Sequence, residues 1–323
     1  MIANDDTMAQ VTEEPARPYQ FKLGSRFAGR YDIDALLGEG GMGAVYRVRD
    51  LALAETVALK VLTLPLGGKR EHAEMFRQEV KLSRRITHAN VVHVYDLGEV
   101  DSILYMTMEL VDGITLRRAM NNAGGKLPLA EAVRIAHALA NGLAAVHAQG
   151  IVHRDLKPGN VMIAKSGRVV LADFGIASHV ESDDPAMRGR IIGTISYMAP
   201  EQFAKQAPTF RTDLYSFGLV ILECLTGALP PRCEGWLSAH RKPILVDLAA
   251  AGVLGTNAEI AAVEKLLRRC LDNNPEARPA SAEEVSRELN ALLPRETSLV
   301  EIGTHSVDRA NVGAAHGAQL PVM

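Results

Sequence analysis

Apolar and polar positions alternate from Tyr31, break at Gly38-Glu39-Gly40-Gly41-Met42-Gly43, and resume in Ala44-Val45-Tyr46-Arg47-Val48. That pattern predicts two strands joined by a glycine-rich hairpin. A third strand follows in Thr56–Leu62, apolar except for a single lysine, Lys60. Between Arg70 and Arg85 the period changes to that of a helix, with Met75, Phe76, Val80, Leu82 and Ile86 on one stripe. Val91–Val94 and Ile103–Leu110 read as further strands, and from Leu116 the character is helical. Leu129–Gln149 is a long alanine-rich amphipathic helix, with Ile135, Leu139, Leu143 and Val146 on one face and Gly150 as its stop. Val161–Ile163 and Val169–Leu171 form a short hairpin around Ser166-Gly167, and Asp213–Leu222 is so apolar that it must be a buried helix. Ser281-Ala282-Glu283-Glu284 carries a capping-box pattern and opens a last helix. Residues 1 to about 25 and those from Pro294 onward show no clear period and read as tails.

Composition narrows this picture only a little. Of 323 residues, 47% are apolar, enough for a sizeable core. A net charge of −3 gives no reason to expect nucleic acid or an anionic membrane as partner. Cys224, Cys233 and Cys270 lack metal-like spacing and read as reduced thiols. With no basic-then-apolar leader and no apolar run approaching the ~18–20 residues of a membrane span, the expected location is the cytoplasm.

The densest chemistry lies in Ile151-Val152-His153-Arg154-Asp155-Leu156-Lys157-Pro158-Gly159-Asn160. A carboxylate can orient a hydroxyl and accept its proton, an ammonium can neutralise a phosphoryl oxygen, and an amide oxygen can hold a metal. Phosphoryl transfer needs those parts, because it is mostly positioning and charge stabilisation. The predicted hairpin brings the end of this stretch near Asp173-Phe174-Gly175, a second carboxylate at a neighbouring strand end. Alone, the G-x-G-x-x-G turn is a weak signal, but a strand follows it where a dinucleotide-binding fold would place a helix. Lys60 alone reads as an exposed strand lysine.

Taken in chain order, these motifs resemble those of eukaryotic-like, bacterial-type Ser/Thr protein kinases, and the resemblance runs from about Tyr31 to about Leu293. It implies an α+β, two-lobed fold: a small β-rich N-lobe with one helix, about 26–112, and a larger helical C-lobe, about 113–293. It also implies ATP and Mg²⁺ as cofactors and Ser/Thr hydroxyls of proteins as acceptors, with autophosphorylation through a transient homodimer. Asp155 would be the base, Lys157 would stabilise the transferred group, and Asn160 and Asp173 would hold Mg²⁺. Nucleotide would be bound by Leu37, Gly38, Gly40, Gly43, Val45, Ala58, Lys60, Met108, Met162 and the backbone of Glu109 and Val111. Glu79 is the expected partner of Lys60, with Glu71 and Glu74 as alternatives on the same helix. By the same resemblance Asp213 would hold the catalytic-loop backbone, Glu201 and Arg278 would form a buried ion pair, and His153 would pack against Phe174. His137 and His147 read as packing or surface residues. Gly193–Glu201 resembles a peptide-binding platform, which a small-molecule phosphotransferase would not need. A catalytically dead scaffold would lack at least one of Lys60, Asp155, Asn160 and Asp173, and all four are present. Arg154 calls for an anion, for which Ser178, Ser182 and the carboxylates of Asp183 and Asp184 are the candidates. The single Trp236, in Leu229–Asn257, has no assignable chemistry beyond packing or docking.

Overall fold

The structure is a computed structural model. It describes residues 21–40, 43–62, 70–101, 103–173, 196–230 and 244–293, apart from some side chains of the first helix, that of Glu79 among them. The expectations placed on Glu71, Glu79, Phe174, Ser178 to Asp184, the first three residues of Gly193–Glu201, Cys233, Trp236 and the residues from Pro294 lie outside this description.

Six antiparallel strands form the first sheet, in the order β1-β2-β3-β4-β6-β5. They are β1 (Arg26–Phe27), β2 (Tyr31–Gly40), β3 (Gly43–Asp50), β4 (Glu55–Leu62), β5 (Val94–Val100) and β6 (Ile103–Met108), with helix α1 (Arg70–Ser83) between β4 and β5. The glycine-rich stretch joins β2 to β3 as a hairpin in which Gly38 pairs with Val45 and Gly40 with Gly43. Val91–Val94 is not a strand: Val91 makes an isolated bridge to Leu171, and β5 runs from Val94 to Val100. The short apolar run there belongs to the junction between the two sheets.

Period-2 alternation gives this sheet two different faces. One carries Phe27, Tyr31, Ile33, Tyr46, Val48, Val57, Leu59 and Val61, all buried in a core of their own. The Phe21 ring packs at a tilt against Phe27 and Tyr46, and Gly24 N–H donates to Ile33 O at 2.8 Å, so residues 21–25 belong to the fold and not to the expected tail. Their polar neighbours had hidden this one aromatic anchor. The other face presents Ala58, Met106 and Met108 to the main core.

The second part is helical around a three-stranded sheet, β7 (Gly113–Thr115), β8 (Val161–Ala164) and β9 (Val169–Leu171). Helix α2 (Leu116–Asn122) is capped by Thr115, whose hydroxyl accepts from Arg118 N–H at 3.2 Å. Helix α3 (Leu129–His147) buries Ile135, Leu139, Leu143 and Val146 as its stripe requires. It is also long and apolar enough to cross a membrane by length and composition, although Glu131, Arg134, His137 and Asn141 interrupt its apolar run. It is nonetheless packed inside the protein, against the helices Phe210–Thr226 and Ala282–Asn290.

After the short turn α4 (Pro200–Phe203), α5 (Phe210–Thr226) is buried along nearly its whole length. Two more helices, α6 (Asn257–Cys270) and α7 (Ala282–Asn290), complete the described chain. At α7 the expected box is only half formed: Ser281 Oγ accepts from Glu284 N–H at 3.3 Å, while the Glu284 carboxylate takes Ala280 N–H at 2.8 Å. Reciprocal capping occurs instead at α6, between Thr256 and Glu259. Cys224 and Cys270 are buried free thiols, each pushed up to about 12 by burial, in keeping with a packing role.

Candidate active site

The site lies where a turn of the helical part meets the inner face of the first sheet. Register fixes the sheet's contribution. Lys60 pairs with Val45 on one side and Met106 on the other, and Ala58 pairs with Met108. Directly opposed residues share a face, so Val45, Ala58, Lys60, Met106 and Met108 face the same way. Met108 is buried at the end of β6, and Glu109 N–H donates to His93 O at 2.8 Å. Val111 and Met162 are half-buried at the edge of the main core, and Leu37 is exposed beside the glycine hairpin.

The loop after α3 is shaped by Asp213, in the first turn of α5 and fully buried. Its carboxylate accepts His153 N–H at 2.7 Å, Arg154 N–H at 2.8 Å and His147 Nε2–H at 2.8 Å. These bonds offset the desolvation of a buried carboxylate and hold Arg154 at φ 65°, a left-handed conformation that non-glycine residues seldom adopt. His147 therefore does more than pack: it braces the residue that braces the loop. Only the spacing of a histidine at the end of α3 could have signalled this, and many helices end so without consequence. The His153 ring is buried, which holds its pKa below the usual value despite the nearby carboxylates of Asp213 and Asp155. Neutral, it can donate Nε2–H to Ala172 O at 3.3 Å.

That bracing presents Asp155. Its carboxylate, only 8% exposed, accepts from Lys157 Nζ at 2.8 and 3.0 Å and from Asn160 Nδ2 at 3.0 Å. Asn160 Nδ2 also donates to Asp155 O at 2.8 Å, and Ala172 N–H donates to Asn160 O at 2.8 Å. So the loop is tied directly to the segment that carries Asp173. Asp173 stands at φ 53°, and its carboxylate meets Lys60 Nζ at 2.6 Å across the two parts of the protein. Burial would raise the Asp173 pKa, but the Lys60 ammonium, with help from Lys157, holds it below the usual carboxylate value.

Sequence reasoning paired Lys60 with a glutamate of α1; the partner found among the described residues is Asp173. Below the site, Glu201 in α4 and Arg278 form two parallel bonds of 2.7 and 2.8 Å, with both side chains buried. Arg278 further donates to Asp272 O and Arg211 O and lies over the Tyr215 ring, while Thr212 donates to Glu201. A second group escaped sequence reasoning: Arg117 of α2 pairs with Glu223 of α5, and Tyr197 O–H donates to that same carboxylate.

This constellation fits a nucleotide with a hard cation. Both amide hydrogens of Asn160 are committed to Asp155, which leaves the amide oxygen as the atom that would face a metal, with the Asp173 carboxylate as the other candidate ligand. No cluster of three or more His, Cys, Asp or Glu ligands exists among the described residues. An ion here would have to take its remaining ligands from water or phosphate, as Mg²⁺ does. A Cβ at Gly38 would meet no atom within 4 Å, so packing does not demand glycine there; its absence leaves the main chain bare toward whatever the hairpin covers.

Comparison with known proteins agrees with this geometry. Residues 31–289 match the family model described as "Protein kinase domain", and the chain belongs to that family. The relatives it matches include bacterial serine/threonine kinases. It is 33% identical over 271 residues to serine/threonine-protein kinase PrkC of Bacillus subtilis, covering 84% of this chain and 42% of PrkC. It is 36% identical over 282 residues to serine/threonine-protein kinase pkn3 of Myxococcus xanthus, covering 84% and 51%. The chain thus spans about half or less of the length of these relatives. The crystal structure of the Mycobacterium tuberculosis PknI kinase domain superposes with a TM-score of 0.66 at 30% identity, covering 85% of this chain and all of that domain. The two-lobed kinase fold expected from the motifs is the fold observed.

Proposed function

We propose that this chain transfers the γ-phosphoryl group of ATP, bound with Mg²⁺, to serine or threonine hydroxyls of proteins, itself included when two copies meet. One observation carries the reading: the Asp155 carboxylate, held by Lys157 and Asn160, lies in a loop stitched to Asp173, which reaches Lys60 across the cleft. The metal, when bound, supplies positive charge beside the phosphates. Lys60 binds and orients the phosphates from the sheet, and Asn160 and Asp173 hold the ion. Asp155 orients the acceptor hydroxyl and accepts its proton. Lys157, within 3.0 Å of both Asp155 oxygens, is placed to neutralise charge on the group in transit. The backbone of Glu109 and Val111 would meet the adenine edge, with Met108 behind it. His153 stays neutral and holds Ala172, so it shapes the site without entering the proton transfer.

Incubation with labelled ATP and Mg²⁺, followed by mapping of phosphorylated residues, tests this. Asp155→Asn should abolish transfer with nucleotide affinity nearly intact, whereas Asp173→Asn should lose Mg²⁺-dependent nucleotide binding as well. If Asp155→Asn transfers phosphate at the wild-type rate, or if the two variants bind Mg²⁺-ATP equally, these roles are misassigned.

A further inference from the structure

Between the two lobes runs a closed circuit of bonds. Leu171 N–H donates to Asn90 O at 2.9 Å, Val92 N–H donates to Leu171 O at 2.9 Å, and Asn90 Nδ2 donates to Val169 O at 2.8 Å. So β9 of the lower lobe is stitched to the segment that enters β5. Helix α3 closes on the same segment, where a Cβ on Gly142 would lie 2.6 Å from Asn90 O. The next residue along, His93, takes Glu109 N–H at 2.8 Å. Arg168, immediately before β9, completes the circuit. Its guanidinium meets the Glu109 carboxylate and reaches Ala89 O at 3.4 Å. The other Glu109 oxygen faces His93 N–H at 3.5 Å. Arg168 is itself fixed at its base, since Ala164 N–H donates to Arg168 O at 2.9 Å in the hairpin.

Glu109 is therefore gripped twice, at its N–H by the upper lobe and at its side chain by the lower. A residue held at both points has little freedom left for its carbonyl. On the kinase reading above, that carbonyl is one of the atoms that meets adenine. We infer that Arg168 is a positioning residue for nucleotide binding: from the lower lobe it fixes the strand end at Glu109 so that its main chain is already oriented when the nucleotide arrives. Preorganisation of this kind improves affinity by removing an ordering cost, without adding a contact. The lobes are already joined by main-chain bonds, and Arg168 and Glu109 are 35% and 23% exposed, so the pair itself adds little to overall stability.

The test uses the whole chain and three readouts: affinity for Mg²⁺-ATP by displacement of a fluorescent analogue, phosphate transfer at saturating ATP, and thermal stability. Arg168→Ala should weaken nucleotide binding about three- to fivefold, the range open to a half-exposed ion pair, with transfer at saturation and stability unchanged. Arg168→Lys should recover part of the loss, since it restores charge without the planar fork. Arg168→Glu should weaken binding further, and combining it with Glu109→Arg should bring affinity back toward wild type. Wild-type affinity in Arg168→Ala overturns the inference, as does faster transfer at unchanged affinity, which would make the pair a restraint. A loss of affinity that only follows a loss of stability overturns it too. A wild-type chain that binds ATP but transfers no phosphate would sink the kinase reading alone, since the affinity comparison would still decide the role of Arg168; one that binds no nucleotide sinks both.

Discussion

Two ion pairs in this protein do opposite work. At the base of the lower lobe, Glu201 and Arg278 are 5% and 0% exposed, make two bonds to each other, and are enclosed by Thr212, Tyr215 and three backbone carbonyls. In the cleft, Lys60 meets Asp173 through one bond, and the Asp173 side chain is 35% exposed. The first pair has satisfied its charges within the protein. The second leaves the Asp173 carboxylate open on one side, so a phosphate could take the ammonium and a cation the carboxylate. A scaffold uses charges that have nowhere else to go, and a binding site uses charges that can change partners.

The largest effect should come from breaking the enclosed pair. Arg278→Ala leaves the Glu201 carboxylate buried and uncompensated, and should lower unfolding free energy by about 3–5 kcal/mol. Denaturant titration measures it; a loss below about 1 kcal/mol would mean that water reaches Glu201 and that the two pairs are not different in kind. Lys60→Met should show the converse. Unfolding free energy should fall by less than in Arg278→Ala, because the Asp173 side chain keeps contact with solvent, while phosphate transfer should fall about 10²- to 10³-fold, as when one charge-stabilising group is removed from an active site. Equal stability losses in the two variants would erase the distinction.

Asp213 sharpens the comparison, because it is as buried as Glu201 yet serves the cleft. Asp213→Asn keeps the size but offers only one acceptor oxygen to two backbone N–H groups and His147. It should cost about 1–3 kcal/mol of stability and also slow transfer, since the Arg154 backbone at φ 65° would relax and carry Asp155 with it. If stability falls while transfer by the folded protein is unaffected, the loop holds its shape without Asp213.

Much of this was legible in the residues. The strands flanking the glycine hairpin, the buried α5, and the separation of Asn160 from Asp173 by one β-hairpin all follow from apolar period and turn residues. Sheet register, which brings Lys60 to Asp173 over a separation of 113 residues, does not. Period says that Lys60 faces one side of a strand, but not what stands across the gap. His147 and Arg168 were missed for the same reason: a histidine at a helix end and an arginine before a strand are ordinary, and acquire roles only from what the tertiary fold sets beside them. Phe21 was missed because the alternation of Tyr19, Phe21 and Leu23 is too short to stand out from the polar residues before it. Val91–Val94 was misread as a strand because an apolar run of that length serves equally well as a buried junction.

The smallest effect concerns pH, and it separates the ion pairs from a buried histidine ring. Burial pushes the Glu201 and Asp173 carboxylates upward, but Arg278 and Lys60 bring both below their ordinary values of 4.5 and 3.8. A depressed carboxylate contributes stability that is present above its unfolded pKa and lost only as pH falls below that value, so both pairs should be silent between pH 7.5 and 5.5. His153 behaves differently. Its ring is held by burial below the ordinary 6.5, so above that value both folded and unfolded chains leave it neutral. Below it, the unfolded chain takes up a proton that the folded chain refuses, and stability must fall as pH falls, by at most about 1.4 kcal/mol per pH unit. Half-buried His137, also depressed by burial, adds a slope of the same sign. Denaturant titration at pH 7.5 and 5.5 should therefore show a loss of about 1 kcal/mol that His153→Gln reduces and that Arg278→Ala leaves in place. If His153→Gln keeps the full wild-type slope, the ring already carries a proton in the folded protein, and the neutral donor to Ala172 is wrong.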